Sequence, residues 1–312
     1  MFKKIHVVVA VSALLLTACG QTNAASTESA SPTAVAAASF PVTIENNGTS
    51  VTITEQPEAI ISLSATATEI LFAIDAGSQV IAVDDQSNYP AEAPISDLSG
   101  FTPNLESIVA FSPDLVVVAY DADGIVAALL AADIPVIVQS AAASFDDTYA
   151  QIVELGTVTG NTTQAQSLVS NMQSEIANAV AQLSPEAAGL TYYHELDDTL
   201  YSVTSTTFIG AVYALAGLTN IADAATGAES GYPQLSPEFI VAADPAIIFL
   251  ADTKCCAQSA ETLAKRPGFA GLTAVTAGNV VELDDDIASR WGPRTVDFVK
   301  VIVEGLTKVT SK

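Results

Sequence analysis

Two glutamates stand at matching points of a repeated unit. NLESIVAFSPDLVVV (residues 104–118) and SPEFIVAADPAIIFL (residues 236–250) align so that Glu106 falls on Glu238 and Pro113 on Pro245. Each copy reads as a capped helix start, a short helix, a proline and an apolar strand. A carboxylate in the first turn of a helix gains a few tenths to about 1 kcal/mol from the helix dipole, which is one structural reason for both. It is an incomplete one, because no Lys or Arg occurs between Lys4 and Lys254. Glu106 therefore has no basic partner in its own half of the chain, and each carboxylate is free to meet a cation on another molecule.

The other reactive side chains are few. Besides Cys19, the cysteines are Cys255 and Cys256, adjacent in ADTKCCAQS. Neighbours can bond only through an eight-membered ring, since their Cα atoms lie closer than in most disulfides. They are either such a disulfide, formed in an oxidising compartment, or two small free thiols. No His or further Cys completes a four-ligand metal set around them. His194, beside Tyr192 and Tyr193 at a strand end, reads as structural. Beyond residue 20 it is the only histidine, too few for a site that surrounds a free zinc or manganese ion with several His or carboxylates. The nearest approach to a nucleophile elbow is GAESG (residues 227–231), with its serine one place late. No phosphate-binding glycine loop and no H-E-x-x-H appears. A secreted α/β hydrolase is the remote alternative; the chain reads as a non-enzyme that needs no cofactor.

Charge narrows the partners. Asp and Glu number 35 against 10 Lys and Arg, a net of −25, so neither nucleic acid nor an anionic lipid face is a fitting partner. With 312 residues, half of them hydrophobic, the chain can build two cores.

These residues are positioned by elements that the pattern marks out. VTIENNGTSVTIT alternates around Asn47-Gly48, a hairpin signal. A buried strand and a helix follow in residues 59–77, with Thr66 and Glu69 spaced as a capping box and Gly77 closing the helix. Thr102-Pro103 fits a helix start before the strand DLVVVAY. Between residues 161 and 183, apolar side chains recur at three- and four-residue spacing without Gly or Pro, which predicts one helix of about 30 Å or more. A second α/β series follows. Continuously apolar strands alternating with helices imply parallel sheets covered on both faces. The expected fold is α/β, with two Rossmann-like lobes of parallel sheet joined by a single long α-helix and a ligand cleft between them.

The first residues are a leader. Lys3 and Lys4 precede an apolar run too short to cross a bilayer, and Leu16-Thr17-Ala18-Cys19-Gly20 resembles a bacterial lipobox. That resemblance implies cleavage before Cys19 and lipid on its sulfur. The expected organisation is a lipoprotein signal peptide (1–18), a flexible tether (19–40), a first α/β lobe (41–160), a linking helix (161–184) and a second α/β lobe (185–312). The implied location is extracytoplasmic, lipid-anchored to the outer face of the cell membrane or in the periplasm.

From about residue 56 onward the chain resembles the substrate-binding proteins of ABC importers for vitamin B12, ferric siderophores and haem. The residues that carry the likeness are SLSATATE (62–69), SNYP (87–90), Asn104-Leu105-Glu106 and Ser236-Pro237-Glu238. It implies a monomer that docks one glutamate of each lobe, by position Glu106 and Glu238, into arginine pockets of a two-fold symmetric permease dimer. A symmetric partner asks the same charge of both lobes. The ligand would lie in the cleft, on loops at the carboxyl ends of strands. By resemblance Phe101, Tyr201 and Tyr232 fall at or next to aromatic positions of cobalamin binders, and Asp286 and Arg290 match a polar pair at the cleft edge. Gln86, Tyr89 and Trp291 lie on the same loops. Gln86 stands where those binders carry a tyrosine and Gly100 where they carry a tryptophan. Catecholate siderophores want several cations, and this cleft can offer only Arg290, Arg294 and Lys254. The expected ligand is an iron-siderophore of the neutral or cationic kind, such as a hydroxamate. Alternatives are a corrinoid, or haem with Tyr201, Tyr232 or His194 as axial ligand. A purely adhesive surface protein is a third class.

Overall fold

The structure, a computed structural model, describes residues 39–311. The expected leader and Cys19 lie outside these residues. The hairpin forms as its sequence requires: β1 (Val42–Asn46) and β2 (Thr49–Ile53) pair antiparallel around Asn47 and Gly48, which both take positive φ. β3 (Ile60–Leu63), α1 (Ala65–Ala73), β4 (Val80–Val83), α2 (Leu105–Val109), β5 (Leu115–Val118), α3 (Ile125–Ala131) and β6 (Val136–Val138) follow. Their four strands form a parallel sheet in the order β4-β3-β5-β6. Next come α4 (Phe145–Thr159) and α5 (Thr162–Val180).

The second lobe holds β7 (Thr191–Glu195), α6 (Phe208–Ala214), β8 (Thr219–Asn220), α7 (Pro237–Ala243), β9 (Ile247–Leu250), α8 (Ala260–Ala264), α9 (Thr273–Thr276), β10 (Val280–Glu282), α10 (Asp285–Ser289) and α11 (Thr295–Thr310). Its sheet is again parallel, β8-β7-β9-β10. Both sheets therefore run second, first, third, fourth. In such sheets the connections diverge between the first and third strands, which opens a crevice at their carboxyl ends.

The apolar runs are buried on both faces. Along β5, Leu115 and Val117 face a central core while Val116 and Val118 face a separate one beneath α2 and α3. Along β9, Ile247 and Phe249 face that same central core, and Ile248 and Leu250 a third cluster in the second lobe. Residues alternate across a strand, so a four-residue apolar run needs cover on both sides. The central core also takes Ile152, Leu155, Met172 and Ile176 from α4 and α5, so the two lobes share it. Truncating Ile152 to alanine there is worth about 2–5 kcal/mol.

Local details differ from the sequence reading. Ser64, not Thr66, caps α1, accepting from the Ala67 amide, and Glu69 is buried rather than closing a capping box. The helix ends at Ile74, and Asp75 with positive φ makes the turn ahead of Gly77. Asn104 caps α2 in place of Thr102. The linking helix is shorter than the apolar pattern, Thr162–Val180, and is preceded by α4, which reasoning from sequence missed. Gly160, left-handed at φ 80°, ends α4, and the chain turns directly into α5. The helices approach closely where Gly156 faces Ala165; a Cβ on Gly156 would lie 2.3 Å from that of Ala165.

Candidate functional site

Loops at the carboxyl ends of all four strands of the first sheet converge on a cavity of about 380 Å³. Leu63 ends β3 and residues 64–66 follow it, Asp84 and Gln86 follow β4, 119–120 follow β5 and 140–141 follow β6; residues 289–291, beyond β10, close the cavity from the second lobe. Its polar and aromatic walls come from Asp84, Gln86, Phe101, Tyr120, Arg290 and Trp291. Phe101 is 62% and Tyr120 44% exposed, which leaves ring faces open to a ligand. A larger cavity of about 740 Å³ lies beside the hairpin, against residues 113–114 and 133–135. Those residues precede β5 and β6, so it sits at the amino edge, where open α/β sheets do not bind ligands.

The cations expected in the cleft are already engaged. Arg290 bonds Glu69 at 2.8 Å, Asp286 at 2.9 Å, the Asn88 side chain at 3.0 Å and the Gln86 carbonyl at 3.0 Å. Arg294 grips both oxygens of Glu69 at 2.5 and 2.9 Å. Its guanidinium also lies 4.3 Å from the centroid of Tyr89, so that ring is partly covered. Asn88 reaches Asp286 at 3.1 Å, and Lys254 holds Asp284 and Asp286 at 2.8 Å. Burial opposes charge on Asp286, but Lys254, Arg290 and Asn88 together keep its carboxyl below the usual range. Trp291 donates to Gln151 of α4 at 2.9 Å. All these bonds except those of Lys254 and the Arg290–Asp286 pair run between the first-lobe side and residues beyond β10. They form a bridge across the cleft with buried Glu69 at its centre.

The second lobe has its own buried carboxylate. Glu195, ending β7, receives two 2.7 Å bonds from Arg266 and one of 3.0 Å from Tyr193. Beside it lies Asp252, just past β9, fully buried and with neither oxygen accepting a hydrogen bond. Burial first, and the charge of Glu195 second, push the Asp252 carboxyl up to about 8. Past Asp252, Cys255 and Cys256 are joined as a disulfide. The amides of Thr253, Lys254 and Cys255 all donate to Asp285, which fixes this loop to the start of α10.

Tyr201 and Tyr232 are 40% and 48% exposed, on segments that pair through Tyr201 and Gln234. They do not line the cavity that gathers Gln86, Phe101, Arg290 and Trp291. His194 is fully buried, its Nδ1 within 2.8 Å of the Tyr213 hydroxyl, and burial lowers its pKa to about 3. It is a neutral core residue out of a ligand's reach, which removes it as an axial ligand. Among the described residues no cluster of three or more His, Cys, Asp or Glu could hold a metal ion.

Glu106 and Glu238 are exposed, each in the first turn of its helix behind a capping side chain, Asn104 and Ser236. Neither makes an ion pair or side-chain hydrogen bond among the described residues. A helix leading into a strand of a parallel sheet runs against that strand, so both helices begin at the carboxyl edge of their sheets. The two carboxylates thus stand on the edge that carries the cleft.

Sequence reasoning missed Glu69, Glu195, Arg266 and Asp252. A weak signal existed: in a chain so poor in cations, Arg266, Arg290 and Arg294 each had carboxylates to answer.

A family model described as periplasmic binding protein matches residues 60–287. An uncharacterised ABC transporter substrate-binding lipoprotein of Bacillus subtilis, YvrC, is 28% identical over 284 residues, covering 88% of each chain. A cobalamin-binding protein of Halobacterium salinarum is 31% identical over 272 residues, 84% of this chain and 73% of that one. Among solved structures, the periplasmic vitamin B12 binding protein BtuF of Vibrio cholerae superposes with a TM-score of 0.69 at 25% identity, covering 82% of this chain and 98% of that one.

Proposed function

The chain belongs to the periplasmic binding protein family, and we propose that it captures a neutral or cationic metal chelate, a corrinoid first of all, between its lobes. Its class is that of substrate-binding proteins of ABC importers for vitamin B12, haem and siderophores, a transport role and not an enzymatic one. The observation that carries the choice of ligand is the bridge: Arg290 and Arg294 are spent on Glu69 and Asp286. A polyanionic chelate would meet no free cation there, whereas a neutral one meets the open rings of Phe101 and Tyr120, with Trp291 in the same wall. The relative named for cobalamin supports a corrinoid. A ferric hydroxamate, also uncharged, is the second reading, favoured by the modest cavity of about 380 Å³.

Delivery would use Glu106 and Glu238 as twin contacts for the two halves of a permease dimer, with Cys19 carrying the lipid that holds the protein at the membrane. Among the described residues no helix is long and apolar enough to cross a membrane.

Titration of the purified protein with cyanocobalamin, a ferric hydroxamate and haemin, followed by quenching of Trp291, tests the reading. Saturable quenching by the corrinoid is expected. Saturation by haemin alone, or by none of the three, would overturn it.

A further inference from the structure

Asp84 lies just past β4, 6% exposed, in the wall of the cleft cavity. Its Oδ1 is 2.5 Å from the Ser87 hydroxyl, which is 2.8 Å from that of Thr68. The Thr68 hydroxyl is 2.9 Å from that of Ser62, which in turn is 3.1 Å from the Ser64 carbonyl. These are four contacts in a row, and the three hydroxyls supply one hydrogen each. A row of four needs a fourth hydrogen, and the only atom able to bring it is the Asp84 carboxyl. With that proton in place every link is a hydrogen bond, running Asp84 to Ser87 to Thr68 to Ser62 to the Ser64 carbonyl. With Asp84 ionised, one buried contact between oxygens has no hydrogen in it.

The second carboxyl oxygen is left for something else. Oδ2 has no hydrogen-bond partner among the described residues and lies at the cavity wall beside Gly100. A Cβ on Gly100 would come within 2.7 Å of Oδ2 and 2.8 Å of the Leu63 carbonyl. The glycine that stands where cobalamin binders carry a tryptophan therefore leaves room for this oxygen, and an aromatic ring cannot share the position with it.

We infer that Asp84 is a ligand-anchoring residue, held as a neutral carboxylic acid by the hydroxyl row, whose Oδ2 accepts a hydrogen bond from an amide N–H on the rim of the bound chelate. This rests on the corrinoid reading, whose periphery is rich in primary amides. Such an anchor prefers amide to carboxylate: a ligand carboxylate opposite Oδ2 offers no donor, and turning the Asp84 proton toward it would break the row. Burial raises the Asp84 pKa, whereas bonds donated to an ionised carboxylate by the Ser87 hydroxyl and amide act to lower it. The charged groups that bear on it, Asp85 and Arg290, act in opposite senses.

Substitution tests the anchor with two readouts. D84N places an amide that can donate to Ser87 and present its oxygen to the cleft, whereas D84A removes both. Calorimetric titration with cyanocobalamin is expected to give D84N an affinity within about threefold of the natural chain and D84A a loss on the order of tenfold. Cyanocobalamin with a side-chain amide hydrolysed to the acid should bind the natural chain on the order of tenfold more weakly than the parent, a preference that D84A should lose. Independently of any ligand, the infrared difference between natural chain and D84N near neutral pH should contain the C=O band of a protonated carboxylic acid. Absence of that band, or a loss in D84N as large as in D84A, would overturn the proposal. Retention of the amide preference by D84A would do the same. If no corrinoid binds the natural chain, the corrinoid reading falls and the anchor with it, even where the acid band is present.

Discussion

The two lobes share one strand order but neutralise their buried carboxylates in opposite ways. The second lobe answers Glu195 from within, with Arg266. The first lobe has no Lys or Arg at all, and its buried Glu69 is answered from beyond β10, by Arg290 and Arg294. A buried carboxylate without a partner is far costlier than one that is paired and hydrogen-bonded. The first lobe is thus electrostatically complete only when docked against the residues that close its cleft. The same contact explains why the bridge leaves no positive charge for a ligand.

The largest expected effect breaks that bridge. E69A strands the Arg294 guanidinium, 14% exposed, leaves Arg290, 9% exposed, with Asp286 as its one counter-ion, and should cost about 3–5 kcal/mol. Urea denaturation followed both by Trp291 fluorescence and by far-UV circular dichroism should show non-coincident transitions. E195A should cost less, about 1–3 kcal/mol, because Asp252 can take up the role of counter-ion to Arg266, and should keep a single transition. A single, coincident transition in E69A would remove the distinction between the lobes.

A second comparison concerns the repeated glutamates. If the knobs are equivalent, E106A and E238A should each lower uptake in cells by a similar factor, and the double variant by about 10–100-fold, as for two lost charge pairs. Ligand affinity in solution and folding stability should stay within about 0.5 kcal/mol, since both residues are exposed and unpaired. Unimpaired uptake by the double variant would refute docking.

Asp252 gives a smaller, pH-dependent contrast peculiar to the second lobe. Its carboxyl is raised to about 8 in the folded chain by burial and by Glu195, against about 3.9 unfolded. Between those values the folded state holds a proton that the unfolded state releases, so this group makes stability fall as pH rises from about 4 to about 8. D252N, facing Glu195, Arg266, Tyr193 and Asp285 as the protonated acid does, should flatten that slope. It should also leave the protein more stable than the natural chain at pH 8, where the natural Asp252 has lost most of its contribution. Equal slopes in both proteins would show that Asp252 is not the titrating group. The smallest effect belongs to the disulfide: C255S/C256S closes no long loop in the unfolded chain and should cost less than about 1 kcal/mol in thermal unfolding.

Much of this architecture was legible in local patterns. The hairpin at Asn47-Gly48, the apolar strands and the repeat that aligns Glu106 with Glu238 need only neighbours in sequence, because side-chain periodicity and turn chemistry act over a few residues. The exposed first-turn position of both glutamates followed from the same rules. The cleft was legible as a set of loops but not as a set of roles. Gln86, Phe101, Arg290 and Trp291 converge, whereas Arg290 is occupied by Glu69 and Tyr89 lies against Arg294.

What tertiary structure alone decided are the contacts between residues far apart in the chain. Glu69 meets Arg290 and Arg294 across more than two hundred residues of sequence, and nothing local to SATATEILF distinguishes a buried acid from a capping one. The hydroxyl row of Ser62, Thr68, Ser87 and Asp84 joins the end of one strand to the loop after another. His194 was placed in the core by the packing of Tyr213 and Phe298 against it. Local pattern sets which face of an element is apolar; which charge lies opposite which is set only when the two sheets close on each other, since an ion pair depends on distance in space and not along the chain.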